Sequence, residues 1–238
     1  MPKVAAILKQ RYLIDSGRGL HLVSNQSLSR GGQWKIDRSS LMSDEIFTLA
    51  EASEHQFSVK LAELVAEFFS PEEPVIDFGC GNAGYLVYLQ GRGFNSIGVE
   101  GTHGLTYHTP KRHPLKPGNP ENAQPSLELV QWDLQHPLWL GVKGNVMSVE
   151  VGEHLHAQHH DAFMDNLSRH CTGKLLLTWA VPGQGGLRHV SERTQEQMVP
   201  YVARWGFGFL EAESRRWRAV VAEELGYFRM SIYLFERG

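Results

Sequence analysis

The chain has 238 residues, of which 42% are hydrophobic, so it is long enough for one α/β domain with a substantial core and some additional segments. A net charge of −3 gives no overall attraction to nucleic acid or to a membrane surface. Two cysteines, Cys80 and Cys171, exclude a disulfide framework and favour a reducing compartment. No stretch has the length and hydropathy of a membrane span, so we expect a cytoplasmic protein with no membrane partner.

Residues 1–50 show little periodicity and contain two glycine-rich breaks, which predicts an irregular N-terminal cap in front of a main domain over residues 51–238. The first 40 residues carry seven basic and two acidic side chains, so this arm has a net charge of +5 and the rest of the chain −8. The arm is either solvated surface or a holder for an anionic substrate. Within it, Trp34 either packs against the main domain or closes over a bound substrate.

The main domain begins with a helix, because apolar side chains between residues 51 and 69 recur at the spacing of one helical face. The elements that follow are a strand over residues 74–78, a glycine-rich turn over 79–84, a helix over Tyr85–Gln90 and a second strand over Ser96–Glu100. Residues 101–126 contain five prolines, so no regular helix can persist there. This extended loop either carries substrate specificity or is a surface excursion.

The second half of the main domain continues to alternate strands with helices. We expect strands at Leu127–Gln131, Asn145–Val149 and Lys174–Val181, and helices at 157–170 and 192–206, the last kinked or shortened by Pro200. Near the end of the chain, strands around Phe209–Ala222 and Tyr227–Glu236 are expected to pair as an antiparallel hairpin. The order of elements predicts a doubly wound α/β fold.

The turn after the first strand of the main domain carries the strongest functional signal. Gly79, Gly81 and Gly84 match the dinucleotide fingerprint G-x-G-x-x-G, and Glu100 lies 19 residues beyond Gly81, where a ribose-binding acid is expected. Asp77, two residues before the first glycine, favours a different adenosine cofactor. Its carboxylate repels a pyrophosphate but attracts the sulfonium and ammonium groups of S-adenosylmethionine (SAM).

This stretch resembles motif I of the class I SAM-dependent methyltransferases, in which acid-x-Gly-x-Gly-x-Gly follows a hydrophobic strand. Ala83 departs from the pattern, because it stands where the third glycine is expected and Gly84 follows it. The resemblance covers about residues 50–238. It implies a doubly wound, Rossmann-like sheet of seven strands in which the last strand is antiparallel.

The acids at the strand ends are the expected cofactor ligands, because open α/β sheets bind ligands at the carboxyl ends of their strands. We expect Asp77 to face the methionine end of SAM and Glu100 to accept both ribose hydroxyls. In enzymes that this chain resembles, an acid such as Asp133 and the next backbone N–H, here that of Leu134, bind the adenine. The expected cofactor site comprises Asp77, Gly79, Cys80, Gly81, Glu100, Gly101, Asp133 and Leu134.

The fourth strand of the main domain runs into an E-x-x-E-H pattern formed by Glu150, Glu153 and His154. This spacing gathers the three side chains on one side of a helical turn, where they suit a divalent cation such as Mg²⁺. His189, after the fifth strand, is the best candidate for a further ligand. Alternatively, the two glutamates cap the next helix and His154 is a general base or a packed residue.

The pattern resembles that of metal-assisted methyltransferases acting on the terminal 2′-hydroxyl of small RNAs, and that of ubiquinone-pathway O-methyltransferases. The resemblance implies a metal at Glu150, Glu153, His154 and His189 that lowers the pKa of a substrate hydroxyl before it attacks the methyl group. His154, Glu150 and His189 would then be the catalytic residues. We expect the neighbouring His156, His159 and His160 to be solvated rather than metal ligands.

The sequence therefore predicts a SAM-dependent methyltransferase that acts on an oxygen atom of a small molecule. The alternative is an RNA 2′-O-methyltransferase, which the basic arm and the E-x-x-E-H pattern favour and the acidic body opposes. A further alternative is a non-catalytic scaffold with the same fold, since a fold alone does not establish chemistry.

Overall fold

The computed structural model describes residues 56–101 and 127–238 together with two strands near the N-terminus. The strands are β1 (Tyr12–Asp15), β2 (Leu20–Val23), β3 (Val75–Phe78), β4 (Ser96–Glu100), β5 (Leu127–Gln131), β6 (Leu138–Trp139), β7 (Gly144–Ser148), β8 (Cys171–Thr178), β9 (Phe207–Phe209) and β10 (Ile232–Arg237). The α-helices are α1 (Val59–Phe68), α2 (Gly84–Gln90), α3 (His160–His170), α4 (Gln195–Ala203) and α5 (Glu211–Val221). Short 3₁₀ turns cover Gly152–His154, Ala157–His159 and Gly226–Arg229.

Seven strands form one sheet in the order β5-β4-β3-β7-β8-β10-β9. The first five of these are parallel, whereas β10 is antiparallel to both β8 and β9. One hydrophobic cluster packs α3 and α4 on one face of the sheet, and a second packs α1, α2 and α5 on the other. The predicted doubly wound, seven-stranded α/β fold with an antiparallel final strand is thus confirmed.

The central strands β3, β4 and β7 are buried at every residue, because helices cover both faces of the sheet. Their carboxyl ends lie at the same edge, since they are neighbours in a parallel arrangement. This geometry gathers the acids at the ends of the strands on one side of the molecule.

Most predicted boundaries agree with the structure to within a few residues, and β4 and β5 match residue for residue. The first helix of the main domain is shorter than predicted, because Ser58 caps it by accepting the N–H of Leu61 at 3.0 Å. Pro200 is tolerated inside α4, which ends three residues later.

The predicted C-terminal hairpin is wrong in one of its strands, because most of Phe209–Ala222 forms α5. The buried side chains of this segment, Ser214, Trp217, Arg218 and Val221, lie at helical spacing, and two of them are polar. A prediction based on hydrophobic periodicity alone therefore misses the buried face of this helix. The antiparallel pairing does form between β9 and β10, but α5 lies between them in the chain.

The N-terminal segment, expected to be irregular, contains β1 and β2, which pair with each other and, through β1, with β6 in a second, three-stranded sheet. The domain boundary at residue 50 stays a prediction. Trp34, most of the basic arm and the loop from residue 102 to 126 lie outside the described residues. Within the described part of the chain, each helix is too short or too polar to cross a lipid bilayer.

Candidate active site

The glycine-rich turn joins β3 to α2 and is fastened to the end of β4. The N–H groups of Gly79 and Cys80 both donate to the carbonyl of Val99, and the N–H of Gly81 donates to Oε2 of Glu100 at 2.9 Å. Gly79 has φ +85°, and a Cβ there would lie 2.3 Å from the side chain of Val151. The glycines therefore let Val151 pack closely against the turn and let the backbone adopt a positive φ. Their N–H groups donate hydrogen bonds within the protein.

Ala83, the departure from the expected motif, lies in the left-handed region with φ +59° immediately before α2. Its methyl group is buried in the hydrophobic cluster on the α1–α2 face of the sheet. Its neighbours Asn82 and Gly84, in contrast, line a cavity next to the turn. The extra methyl group of Ala83 thus points into the core and not toward the proposed cofactor.

Asp77 is a buried acid with an unused acceptor atom. Its side chain is 2% exposed, and its Oδ1 has no hydrogen-bond partner among the described residues. Burial, and then the nearby charge of Glu100, raise the pKa of Asp77 to about 8. A buried carboxyl group in this condition is expected to bind a positively charged ligand, since the ligand would supply the missing partner.

The two other acids of the predicted cofactor site end β4 and follow β5. Glu100 is buried and bonded to Gly81, as described above. Asp133 is also buried, and its Oδ1 accepts the N–H of Gln135 at 2.9 Å, whereas Oδ2 has no hydrogen-bond partner among the described residues. Burial raises the pKa of Asp133. Leu134 is buried beside it.

A cavity of about 510 Å³ extends from Asp77 and the glycine-rich turn to the residues after β7 and β8. Cys80 lines it, but burial raises the pKa of the Cys80 thiol well above its usual value, so this thiol is a poor nucleophile. The far side of the cavity is formed by Glu150, His154 and His189 together with Gln184. Asp77, Gly79 and Cys80 thus share a cavity with the predicted reaction site, whereas the other predicted cofactor residues, Gly81, Glu100, Gly101, Asp133 and Leu134, are not part of its lining.

Three of the four predicted metal ligands come together. One ligand atom from each of Glu153, His154 and His189 lies within 4.8 Å of the other two, and the two imidazole rings are 4.9 Å apart. The carbonyl of Glu153 accepts the N–H groups of Val190 and Ser191 at 2.9 and 3.0 Å. These two hydrogen bonds hold the loop after β8 against the E-x-x-E-H turn.

Glu153 is fully buried, and both of its carboxylate oxygens lack a hydrogen-bond partner among the described residues. Burial, and then the neighbouring Glu150, raise the pKa of Glu153 well above its usual value. Such a group is expected either to hold a proton or to bind a cation.

Glu150 lies outside this group of three, and its carboxylate is held by two residues that its sequence neighbourhood does not predict. Its Oε1 accepts the hydroxyl of Thr178 at 2.8 Å, and its Oε2 accepts the amide of Gln184 at 2.7 Å. Its φ of +53° is uncommon for a residue with a side chain. Thr178 lies in β8 and Gln184 in the loop after it, so no sequence pattern near Glu150 predicts these contacts.

A cluster of packed residues supports the E-x-x-E-H turn from behind. A Cβ at Gly152 would lie 2.0 Å from the ring of Trp179. His160, which was expected to be solvated, is buried and bonds the carbonyl of Leu155 at 3.0 Å and the guanidinium of Arg193 at 2.7 Å. Burial lowers the pKa of His160, which favours the neutral ring that these two bonds require.

The sequence matches no protein-family model and no curated protein. Among solved structures, magnesium protoporphyrin IX methyltransferase from Synechocystis PCC 6803 with bound SAM is 16% identical, with a TM-score of 0.56, over 82% of this chain and 94% of that chain. The glycopeptide N-methyltransferase MtfA in complex with SAM is 17% identical, with a TM-score of 0.53, over 78% of this chain and 88% of that chain. The methyltransferase domain of the bacterial protein CtHen1-C is 20% identical, with a TM-score of 0.53, over 75% of this chain and 95% of that chain. The chain thus has the fold of the class I SAM-dependent methyltransferases.

The contact between Gly152 and Trp179 predicts that Gly152→Ala destabilises the protein, because the added methyl group must displace the ring or the turn. We expect a loss of about 1–3 kcal/mol in the free energy of unfolding, measured by urea denaturation. Gly173→Ala is the matched control, because a Cβ at Gly173 meets no atom of the described residues within 4 Å. Equal stability of the two variants would contradict the packing described here.

Proposed function

We propose that the protein transfers the methyl group of SAM to an oxygen atom of a small molecule. The observation that carries the cofactor assignment is Asp77, a buried carboxyl group with an unused acceptor atom beside the glycine-rich turn. The sulfonium and ammonium groups of SAM would supply a positive charge there, whereas the pyrophosphate of a dinucleotide would be repelled. Two of the solved structures with this fold contain bound SAM.

The remaining acids fit the rest of the same ligand. Oδ2 of Asp133 lies 3.9 Å from Nε2 of His136 but accepts no hydrogen bond from the described residues, so it is an acceptor suited to the amino group of the adenine. The N–H of Leu134 is the proposed donor to the adenine ring. Glu100 is the proposed acceptor for the ribose hydroxyls, since a carboxylate that binds Gly81 through one oxygen still has further lone pairs. When bound, SAM supplies an activated methyl group, and the protein has to orient and deprotonate the acceptor.

His154 is the proposed general base for the acceptor hydroxyl. Its Nδ1 lies 3.4 Å from the carbonyl oxygen of Arg188, which favours a proton on that nitrogen and gives Nε2 the acceptor role. His189 is oriented by Glu192, whose Oε1 lies 3.2 Å from its Nδ1. Both histidines line the cavity that begins at Asp77, so the base and the methyl donor would share one cavity.

A second form of the proposal places a divalent cation at Glu153, His154 and His189, and His154 would then be a metal ligand instead of the general base. Two imidazoles and one carboxylate suit a borderline cation, and the buried Glu153 has both oxygens available to it. When bound, the metal would lower the pKa of the acceptor hydroxyl. Glu150, which is held by hydrogen bonds from Thr178 and Gln184, would then add negative charge to the site.

The cofactor assignment predicts that the protein binds SAM and that Asp77→Asn weakens binding about tenfold to a hundredfold, because a charge-assisted contact is lost. Since the free Asp77 has a pKa of about 8, it holds a proton at neutral pH, and binding of a cation releases that proton. Affinity should therefore rise with pH, by up to about tenfold per unit, until about pH 8.

Isothermal titration calorimetry at pH 6, 7 and 8, in two buffers with different ionisation enthalpies, measures both effects. The amino group of SAM titrates in the same way for both proteins, so the difference between wild type and Asp77→Asn isolates the contribution of Asp77. Tighter binding of NAD than of SAM would refute the assignment. Failure to bind either ligand would favour the non-catalytic scaffold.

The metal proposal predicts that dialysis against a chelator abolishes activity and that Mg²⁺ or Mn²⁺ restores it. Mn²⁺ at a hundred times its dissociation constant should also stabilise the protein by about 2.7 kcal/mol, which a thermal shift detects without any substrate. Glu153→Gln should remove this shift, and Glu196→Gln, at an exposed position, should retain it. Turnover that survives the chelator, with no Mn²⁺ shift, would leave His154 as a metal-independent base.

An RNA 2′-O-methyltransferase is the second candidate, and the convergence of Glu153, His154 and His189 is the observation that favours it. It predicts that a short RNA binds and that its affinity falls steeply between 50 and 200 mM salt, because phosphate contacts release counterions. Weak binding with little salt dependence is the result expected for a small-molecule enzyme.

A further inference from the structure

One wall of the cavity is aromatic and apolar, although a methyl donor and a base do not by themselves require it. We call this the aromatic wall; it consists of Phe57, Tyr85, Tyr227 and Phe228, all of which line the cavity. The rings of Phe57 and Tyr85 are 5.0 Å apart, and those of Tyr227 and Phe228 are 4.5 Å apart. Such pairs offer large flat surfaces at a small cost in side-chain entropy.

Hydrogen bonds hold the two halves of the aromatic wall together. The residue after Phe57, Ser58, donates its backbone N–H to the hydroxyl of Tyr85 at 3.3 Å and its own hydroxyl to Glu224 at 2.5 Å. Glu224 lies just before the 3₁₀ turn that carries Tyr227 and Phe228. The start of α1 is thereby fixed to the segment that precedes this turn, so the aromatic wall is built into the fold.

Two apolar side chains of this cavity remain in contact with water. Leu187, in the loop after β8, is 53% exposed, and Tyr227 is 36% exposed. Because both residues line a cavity, a ligand bound in the cavity would cover them. Both residues belong to the cavity that holds Glu150 and His154, so their ligand would lie beside the proposed base.

The charged groups that face this space are acidic. Glu150 and Asp77 line the cavity, and the described residues that line it include neither lysine nor arginine. Asp77 is expected to pair with the cationic groups of the cofactor, so Glu150, which accepts hydrogen bonds from Thr178 and Gln184, is the acid that the acceptor would meet. An anionic group on the acceptor would be repelled by the Glu150 carboxylate, whereas a neutral or cationic group would not.

We propose that the methyl acceptor carries a flat apolar group next to its hydroxyl, that it binds in neutral or cationic form, and that Leu187 and Tyr227 contact the flat group. This inference rests on the proposed methyl transfer and names the class of its acceptor. It assigns Leu187 and Tyr227 the role of specificity determinants, while the base and the cofactor residues keep the roles given above.

Three naphthalene probes of equal size test the charge preference: naphthalen-2-ylmethanol is neutral, naphthalen-2-ylmethylamine is cationic and naphthalene-2-carboxylate is anionic at pH 7. Each is titrated into the full chain saturated with S-adenosylhomocysteine, which blocks turnover, and the dissociation constants are measured by NMR. We expect the carboxylate to bind at least about tenfold more weakly than the alcohol, because one repulsive contact at partial exposure has this magnitude. Equal or tighter binding of the carboxylate would overturn the inference.

Alanine variants test the contact residues. Leu187→Ala and Tyr227→Ala should each weaken binding of the alcohol about threefold to tenfold, since each removes apolar contact area. Met230→Ala is the matched control, because Met230 is also 53% exposed but lines a different cleft, on the side of α5. An effect of Met230→Ala as large as that of Leu187→Ala would overturn the assignment.

The same titration separates this inference from the proposed function. If the wild-type chain fails to bind S-adenosylhomocysteine, the methyl-transfer proposal fails and the acceptor class fails with it. If S-adenosylhomocysteine binds but the three probes bind equally, the inference about the acceptor fails while the proposed methyl transfer stands.

Discussion

Three loops meet at the carboxyl edge of the sheet, and the site depends on glycines that let them approach closely. Gly79 lies against Val151, Gly152 lies against the ring of Trp179, and Gly186 lies against the ring of His189. In each case a Cβ would fall within 2.3 Å of a neighbouring side-chain atom. The first contact joins the turn after β3 to the turn after β7, and the second joins the turn after β7 to the residue that follows β8. The third lies within the loop after β8 and packs the ring of His189 against its backbone. The cavity exists because these loops are packed together rather than separately solvated.

The second property of the site is that it contains several buried carboxyl groups. Asp77, Asp133, Glu150 and Glu153 all have pKa values raised above their ordinary range, and burial is the largest cause for each. Keeping four carboxyl groups away from water costs stability unless they hold protons or find partners. The cost is reduced when a cationic ligand enters, so cofactor and metal binding are both expected to be coupled to proton release. This coupling favours ligands that bring positive charge.

The sequence was sufficient to predict the parts of the molecule that local patterns determine. Periodicity locates the strands β3, β4 and β5 well. The glycine-rich turn and the acids Glu100 and Asp133 lie at or just beyond the ends of these strands. The partners of Glu150 were not predictable, because Thr178 and Gln184 are brought to it by the pairing of β7 with β8. The burial of His160 likewise depends on Arg193 and Trp179, which are distant in sequence. Helix α5 was missed because its buried face includes Ser214 and Arg218, whose polarity conceals the helical period.

The close approach at the three glycines also bears on how such a site can be re-engineered. Substitutions at Gly79, Gly152 and Gly186 would lower the stability of the protein, whatever acceptor was selected. Leu187 lies one residue beyond Gly186, yet 53% of its surface is exposed. A mutagenesis library that keeps the glycines constant and varies Leu187 and Tyr227 would therefore explore acceptor preference at little cost in folding yield. The architecture thus separates the positions that maintain the scaffold from those at which selectivity can change.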